Sequence, residues 1–397
     1  MTLKMLERRQ GNILRFALVM GGISYFYHAL QQSTEYLEIS RLPEFLQGVT
    51  QIHFSMIGVL ITIFIILFTI IGGALSDKYG RKLFWSVELL LYAFSVLLLV
   101  FPSIIWQVTV GLGYFSSLFW ASKIAWIYDH EGKEGMRRAY GFLYAMSPFF
   151  IMGGIGLSAV IDHFLGDVRV QFILPCFVIV IIALWVLTFP ESPEKSTESL
   201  PTILTTGIYS FFHNKIFLLL LFHRILMDAA LWIARSWELN LVQAFPSVPD
   251  QPTLIFGIIT IVFTGLVGSG MLFMKRTDYA RFTIYPAVLM AVFLGGLLIV
   301  PTPFLFSVLI TGAFALSLVW WTGFYIVINS VITGTRATLL SLMYVTILLL
   351  EVPRIILYLL QVDIHVSCGI ASLLACVSVF PLYIALKKTH HENPSLS

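Results

Sequence analysis

The sequence predicts an all-α integral membrane protein of twelve transmembrane helices in two bundles of six, with both termini cytoplasmic. Three observations predict it. Of 397 residues, 58% are hydrophobic and only 11% are charged, against about 25% charged in a soluble domain. Mean hydropathy is +0.90, and the charge deficit runs along the whole chain, so lipid is the solvent. Apolar runs recur at lengths that cross a hydrocarbon core, which takes about 20 helical residues. The basic residues between those runs fall almost entirely on one side of the membrane.

The segments follow in order. Met1 to Gln10 is basic and leads into span 1, roughly 13–36. That run lacks a small-residue cleavage site and continues into His28, Gln31, Gln32 and Glu35, so it reads as a retained helix rather than a leader. The remaining spans are roughly 52–75, 83–101, 104–128, 139–162, 169–189, 215–238, 254–274, 282–300, 304–330, 338–361 and 365–387. Pro102, Pro190, Pro193, Pro249, Pro252, Pro301, Pro303 and Gly334 mark breaks. The runs are continuous rather than alternating and too long for barrel strands, which argues against a β-barrel. The longest polar stretch holds Glu191, Glu194, Lys195 and Glu198. It divides the chain into an N-terminal bundle (1–190), a cytoplasmic linker (191–214) and a C-terminal bundle with a short tail (215–397). With the amino terminus inside, 18 of the 24 Lys and Arg fall in cytoplasmic segments and only Arg41 and Arg169 fall outside. Cys176, Cys368 and Cys376 sit in apolar context without metal-like spacing and read as free buried thiols.

Spans 2 and 3 are joined by Gly73-Ala74-Leu75-Ser76-Asp77-Lys78-Tyr79-Gly80-Arg81-Lys82. This segment resembles the signature loop between helices 2 and 3 of the major facilitator superfamily. Two six-helix halves, each an inverted repeat, suit the same family. The resemblance implies that Asp77 faces the start of helix 11, here Arg336-Ala337-Thr338, where an anion meets the positive end of a helix. It implies that Arg81 pairs with Asp129, at the cytoplasmic end of span 4. Gly73 permits close helix contact and Gly80 a turn. Together Gly73, Asp77, Gly80, Arg81, Asp129 and Arg336 would latch the halves when the cavity opens outward. The competing reading is a solvated basic turn that only enforces topology. A degraded counterpart follows span 8: Gly268, Gly270, Lys275, Arg276, Asp278 and Arg281. Pro190-Glu191-Ser192-Pro193 also resembles a family segment, though it is a weak signal alone.

The resemblance further implies that helices 1, 4, 7 and 10 line a central cavity. Polar groups within spans are costly and functional candidates. In span 1, His28, Gln32 and Glu35 share a face at i, i+4, i+7, with Tyr25 leading in; Glu35 and Glu38 also suit a solvated helix end, and His28 a core histidine. In span 4, Lys123 lies three residues from both Trp120 and Trp126, and about 9 Å inward of Asp129. It could snorkel, bind an anion, or pair with Glu88. Span 7 carries His223, Arg224, Asp228, Trp232, Arg235, Trp237, Glu238 and Asn240. Arg224 and Asp228 at i, i+4 are either a structural staple or a site that exchanges partners. In span 10, Trp321, Tyr325 and Asn329 form a stripe that suits packing or ligand contact. Span 11 adds Glu351 and Arg354, for which pairing or gating fits best.

The expected function is secondary active transport of an organic small molecule by alternating access. The substrate-binding candidates are Tyr25, His28, Gln32, Glu35, Trp120, Lys123, Arg224, Asp228, Trp232, Trp321, Tyr325 and Asn329. Protons are the expected coupling ion, with Asp228 first and Glu35 and His28 after it. Efflux of an amphiphilic drug or metabolite by antiport is slightly ahead of uptake of a polar or anionic nutrient by symport. Two family markers of drug antiport depart, however: Gln107 stands where an arginine would precede Gly111, and Pro148 is too far from Gly153 and Gly154. A receptor on the same fold is the reading from another class, against which the intact Asp77 and Arg81 argue. An enzyme or ATP-driven pump finds no nucleophile motif, metal cluster or phosphate loop. No cofactor, no metal and no nucleic-acid partner are expected. The chain is expected to act as a monomer in the bilayer of a bacterial inner membrane.

Overall fold

A computed structural model describes residues 3–22, 69–98, 120–165, 170–192, 195–236, 262, 265–266, 268–271, 279–299, 303–332, 335–348 and 364–392. Among the described residues the regular structure is helical throughout. The helices are α1 (Leu3–Met20), α2 (Arg81–Leu98), α3 (Trp120–Leu165), α4 (Val170–Leu187), α5 (Leu200–His213), α6 (Lys215–Ser236), α7 (Tyr279–Gly296), α8 (Pro303–Val331), α9 (Arg336–Leu348) and α10 (Ile364–Glu392). Residues 69–79 are also helical.

Most helices follow the apolar runs. Three differences have physical causes. Helix α1 begins ten residues before the expected span, because its first turns carry Lys4, Arg8 and Arg9, which hydropathy counts against a span but which helices accept readily. Spans 4 and 5 share the helical segment α3, interrupted only at Gly132 (φ 64°, ψ −162°), a left-handed backbone that glycine adopts freely. The stretch expected as a polar linker contains α5, fourteen residues long. Its Ile203, Gly207 and Phe211 recur every fourth residue on a buried face, which is the period of a helix packed on one side.

Two compact units divide the chain. The first contains Met1–Gly135, Phe149–Tyr209 and Gly334–Val345. In it α2 packs on α4, and Ser86 Oγ donates to the Ala183 carbonyl at 2.8 Å. Trp85, Trp126 and Phe189 fill its core with ring centroids 5.5–5.9 Å apart. Asn12 Nδ2 donates to Glu131 Oε1 at 2.9 Å, tying α1 to α3. The second unit contains Met136–Pro148, Ser210–Thr333 and Thr346–Ser397. Here α6 packs on α10 and α8, and α7 on α8 and α10.

Large apolar side chains also face outward. Phe177 and Ile181 of α4 are each 65% exposed and Phe380 of α10 is 69% exposed, the surface of a protein solvated by hydrocarbon rather than water. Among the described residues, Val308–Val331 and Cys368–Lys388 are long and apolar enough to cross a membrane. Cys176 and Cys368 are buried, but Cys376 is exposed. Its expected burial fails because lipid-facing and core-facing helix surfaces are equally apolar, so sequence context cannot separate them.

Candidate functional site

The first cluster lies within the first unit, where the helix of residues 69–79 ends and α2 begins. Gly80 N–H bonds the Ser76 carbonyl at 3.1 Å and terminates the turn. Its φ is +123°, a value that L side chains rarely adopt. The reversal sets Asp77 and Arg81 against each other at 3.2 Å. Both are buried, at 2% and 1% exposure.

Asp77 caps α9. Its Oδ1 accepts from Ala337 N at 3.1 Å. Its Oδ2 accepts from Thr338 N at 2.9 Å and from Thr338 Oγ1 at 2.8 Å. One carboxylate thus satisfies two of the N–H groups that a helix start leaves unpaired, at the positive end of the helix dipole. Arg81 also pairs with Asp129 of α3. Asp129 in turn pairs with Arg336 and accepts from Ser192 Oγ. The Arg336 guanidinium stacks on Tyr128, 4.8 Å from the ring centroid. The close approach of the two helices depends on Gly73, where a Cβ would meet the Ala337 carbonyl at 2.7 Å.

A residue that sequence reasoning did not select completes this network. Glu191 Oε1 accepts from Arg81 N at 3.0 Å and Lys82 N at 3.5 Å, capping α2, and from its neighbour Ser192 N at 3.0 Å. A Cβ on Gly80 would stand 2.6 Å from Glu191 Oε2. Gly80 therefore serves backbone conformation and carboxylate access together. Around Glu191 the chain is fastened by Trp126 Nε1 to the Pro190 carbonyl at 2.9 Å and Lys82 Nζ to the Phe189 carbonyl at 3.0 Å. His130 faces the Trp126 and Glu191 carbonyls at 2.8 and 3.2 Å. Burial holds its pKa below the ordinary histidine value, although both carbonyls pull it up. The sequence signal was an acid directly after the proline that ends span 6.

The second cluster lies within the second unit. Arg224 Nε donates to Asp228 Oδ2 one turn along α6. The guanidinium is surrounded by aromatic rings of α8: Trp320 at 5.0 Å, and Trp321, Phe324 and Tyr325 each at 5.4 Å. Such distances give cation–π attraction. Trp321 Nε1 makes a long contact of 3.4 Å to Asp228 Oδ1. Arg224 Nη1 is buried and without a hydrogen-bond partner among the described residues. Beside it, His223 Nδ1 lies 2.8 Å from the Ser378 carbonyl, and Trp320 Nε1 donates to His223 Nε2 at 2.7 Å. These partners select the tautomer protonated at Nδ1. Asn329 Nδ2 bonds back to the Tyr325 carbonyl at 2.7 Å.

Elsewhere in the first unit, Lys123 Nζ pairs with Glu88 Oε1 at 2.7 Å. The lysine's pairing reading therefore holds in this structure, and its ammonium does not snorkel. Tyr25, His28, Gln32 and Glu35 lie outside the described residues, as do Glu351 and Arg354. Trp120 and Trp232 belong to α3 and α6, but their side chains also lie outside what is described. The structure thus brings together Gly73, Asp77, Gly80, Arg81, Asp129 and Arg336 in one cluster, and Arg224, Asp228, Trp321 and Tyr325 in another. No group of metal ligands occurs among the described residues.

A family model described as Major Facilitator Superfamily matches residues 13–350. Among solved structures, a double tryptophan mutant of XylE aligns with TM-score 0.68 at 14% identity, covering 95% of this chain and 96% of that one. The proton:xylose symporter XylE bound to 6-bromo-6-deoxy-D-glucose aligns at TM-score 0.59 and 16% identity, covering 94% and 95%. The human organic anion transporter MFSD10 (TETRAN) aligns at TM-score 0.61 and 13% identity, covering 95% and 99%. These likenesses establish the all-α, twelve-helix fold. No curated protein matches at the sequence level.

Proposed function

Because this chain belongs to the major facilitator superfamily, whose members are multi-pass membrane proteins that carry small molecules by secondary transport, we propose that it is a proton-coupled carrier of an amphiphilic organic molecule in a bacterial inner membrane. It works as a monomer, with both termini cytoplasmic and two six-helix halves that rock about the linker. Export is its first direction. The single observation that carries the reading is the Asp77 carboxylate on the first amide groups of α9.

That contact joins the loop between spans 2 and 3 to the start of span 11. In one state it holds the cytoplasmic side closed. In the other it must open, and Asp77 and the α9 amides must be rehydrated. Hydrogen bonds to a charged group are worth about 1.5–3 kcal/mol each, while burial of the ions costs several. The net is a few kcal/mol, small enough for cargo and proton binding to shift the equilibrium. Arg81, Asp129 and Arg336 form the electrostatic frame that aims Asp77. Asp228 is the proton-accepting group, since a proton on it would free Arg224. A second reading, uptake of an anionic nutrient by symport, is favoured by Arg224 Nη1, which has no partner among the described residues.

Untargeted mass spectrometry of cells and medium tests this function. Wild type, Asp77→Asn and vector-only cells are compared at matched membrane expression. The expected result is at least one compound whose distribution depends on wild type and reverts in the variant. A compound enriched in medium sets export, and one enriched in cells sets uptake. Identical profiles for wild type and vector would defeat the transport reading.

A further inference from the structure

The guanidinium of Arg224 is supplied with less than its chemistry asks for. Five N–H groups in a planar fork suit a carboxylate approached edge-on, with two parallel bonds. Asp228 takes only Nε, and Nη1 is buried with no partner among the described residues. Four ring faces within 5.4 Å satisfy the positive charge in part and the Tyr325 side chain shares a hydrogen bond with the guanidinium, but neither answers Nη1 among the described residues. A buried charged donor left without an acceptor is costly. It marks a place where an acceptor is added in another step.

The surroundings say which acceptor. With Asp228 ionised, the pair is neutral and a second anion would meet a carboxylate already on the same guanidinium. With Asp228 protonated, Arg224 is a cation with no anion on it, held by Tyr325 and walled by aromatic faces. Among the described residues, the titratable groups that face it from neighbouring elements are Tyr325 of α8 and Tyr144 of span 5. From α10, the Ser378 carbonyl is taken by His223, while Tyr383, Lys387 and Lys388 are exposed. His223 has both ring nitrogens committed. Asp228 is therefore the group whose charge decides whether an anion is accepted.

We propose that the free edge of Arg224 is an anion subsite, that the cargo carries a carboxylate on an apolar body, and that this cargo binds together with a proton on Asp228. The inference rests on the reading of this chain as a proton-coupled carrier with Asp228 as the coupling group. It adds the charge class of the cargo, and because proton and cargo then travel in the same direction, it deepens the second reading, symport, and not the export reading.

The test uses the full-length protein purified in detergent. The probes are 4-phenylbutyrate, indole-3-acetate and decanoate, each beside its primary amide and matching amine. Binding is read from thermal stabilisation, and for the two non-indole probes also from intrinsic tryptophan fluorescence, at acid and neutral pH. At least one carboxylate should bind about tenfold tighter than its amide, the worth of one charge-assisted hydrogen bond, and more tightly at acid pH. Asp228→Asn, which imitates the protonated acid, should bind that carboxylate tightly at both pH values. Arg224→Gln should lose the carboxylate preference. If it fails to fold, Asp228→Asn alone decides. Carboxylates that never outbind their amides would overturn the anion subsite. Amides or amines that bind best, and weaken in Arg224→Gln or Asp228→Asn, would leave the cargo site standing and remove its anionic class. Probe binding indifferent to both substitutions would remove the cargo site from this pair altogether.

Discussion

Asp77–Arg81 and Arg224–Asp228 are the same two residue types at the same four-residue spacing, both buried. Their surroundings differ. Asp77 holds three hydrogen bonds from α9 beyond its arginine, and Arg81 reaches a second acid, Asp129. Around Arg224 there are rings, a hydrogen bond shared with Tyr325, one long indole contact to its partner, and an Nη1 unanswered among the described residues. A charge network that also grips the amides of a helix start fixes one geometry and gives way as a unit. An under-satisfied pair keeps capacity for a ligand. On the proposed function, the first pair gates and the second meets the cargo.

The comparison can be broken most decisively at Asp77. Asp77→Asn keeps the shape of the cap but removes the anion from the helix dipole and from Arg81. Transport should fall at least about tenfold, as expected for loss of charge-assisted bonds, while folded protein persists in size-exclusion profiles. Normal flux in this variant would return the loop to a topological role. Next in size is Gly80→Val. The left-handed backbone alone costs about 1–2 kcal/mol for a side chain, and the new Cβ would strike Glu191. Lower Tm and lower flux should appear together, and an unchanged Tm would contradict the double role of Gly80.

A smaller effect belongs to Glu191→Gln. It retains an oxygen for Arg81 N and Lys82 N but loses the charge, so about 1 kcal/mol of cap stability should go. The measurement is the thermal midpoint of the purified protein, and the loss should be less than in Gly80→Val. His130 gives the smallest change. Its pKa is lowered by burial, so the folded state prefers the neutral ring. Its contribution is fully present above the unfolded value of about 6.5 and is lost as pH falls below it. Thermal midpoints should decline with acidification, and His130→Gln should flatten that decline. A slope unchanged by the substitution would assign it to other groups.

Much of this was legible in the sequence, for reasons that differ by residue. Asp77, Gly80 and Arg81 stand out because a charged turn between two apolar runs has few reasons to exist. Asp129 and Arg336 follow from the family resemblance. Glu191 was hidden because its partners, the amides of Arg81 and Lys82, lie 110 and 109 residues away. Backbone amides also leave no mark in a sequence. Helix α5 was hidden because Thr202, Thr205 and Thr206 lower its hydropathy, although the four-residue repeat of Ile203, Gly207 and Phe211 carried its period. Arg224 and Asp228 were visible as an i, i+4 pair. That the guanidinium sits among rings of α8 required the fold, since Trp320 follows almost a hundred residues later.

The cap itself is open to one direct measurement that needs no cargo: hydrogen–deuterium exchange of the peptide spanning 334–345, in wild type and in Asp77→Asn. If Asp77 holds the Ala337 and Thr338 amides, their exchange should be slow in wild type and markedly faster in the variant. Equal exchange in the two proteins would show that α9 is held by other contacts, and would remove Asp77 from the gate.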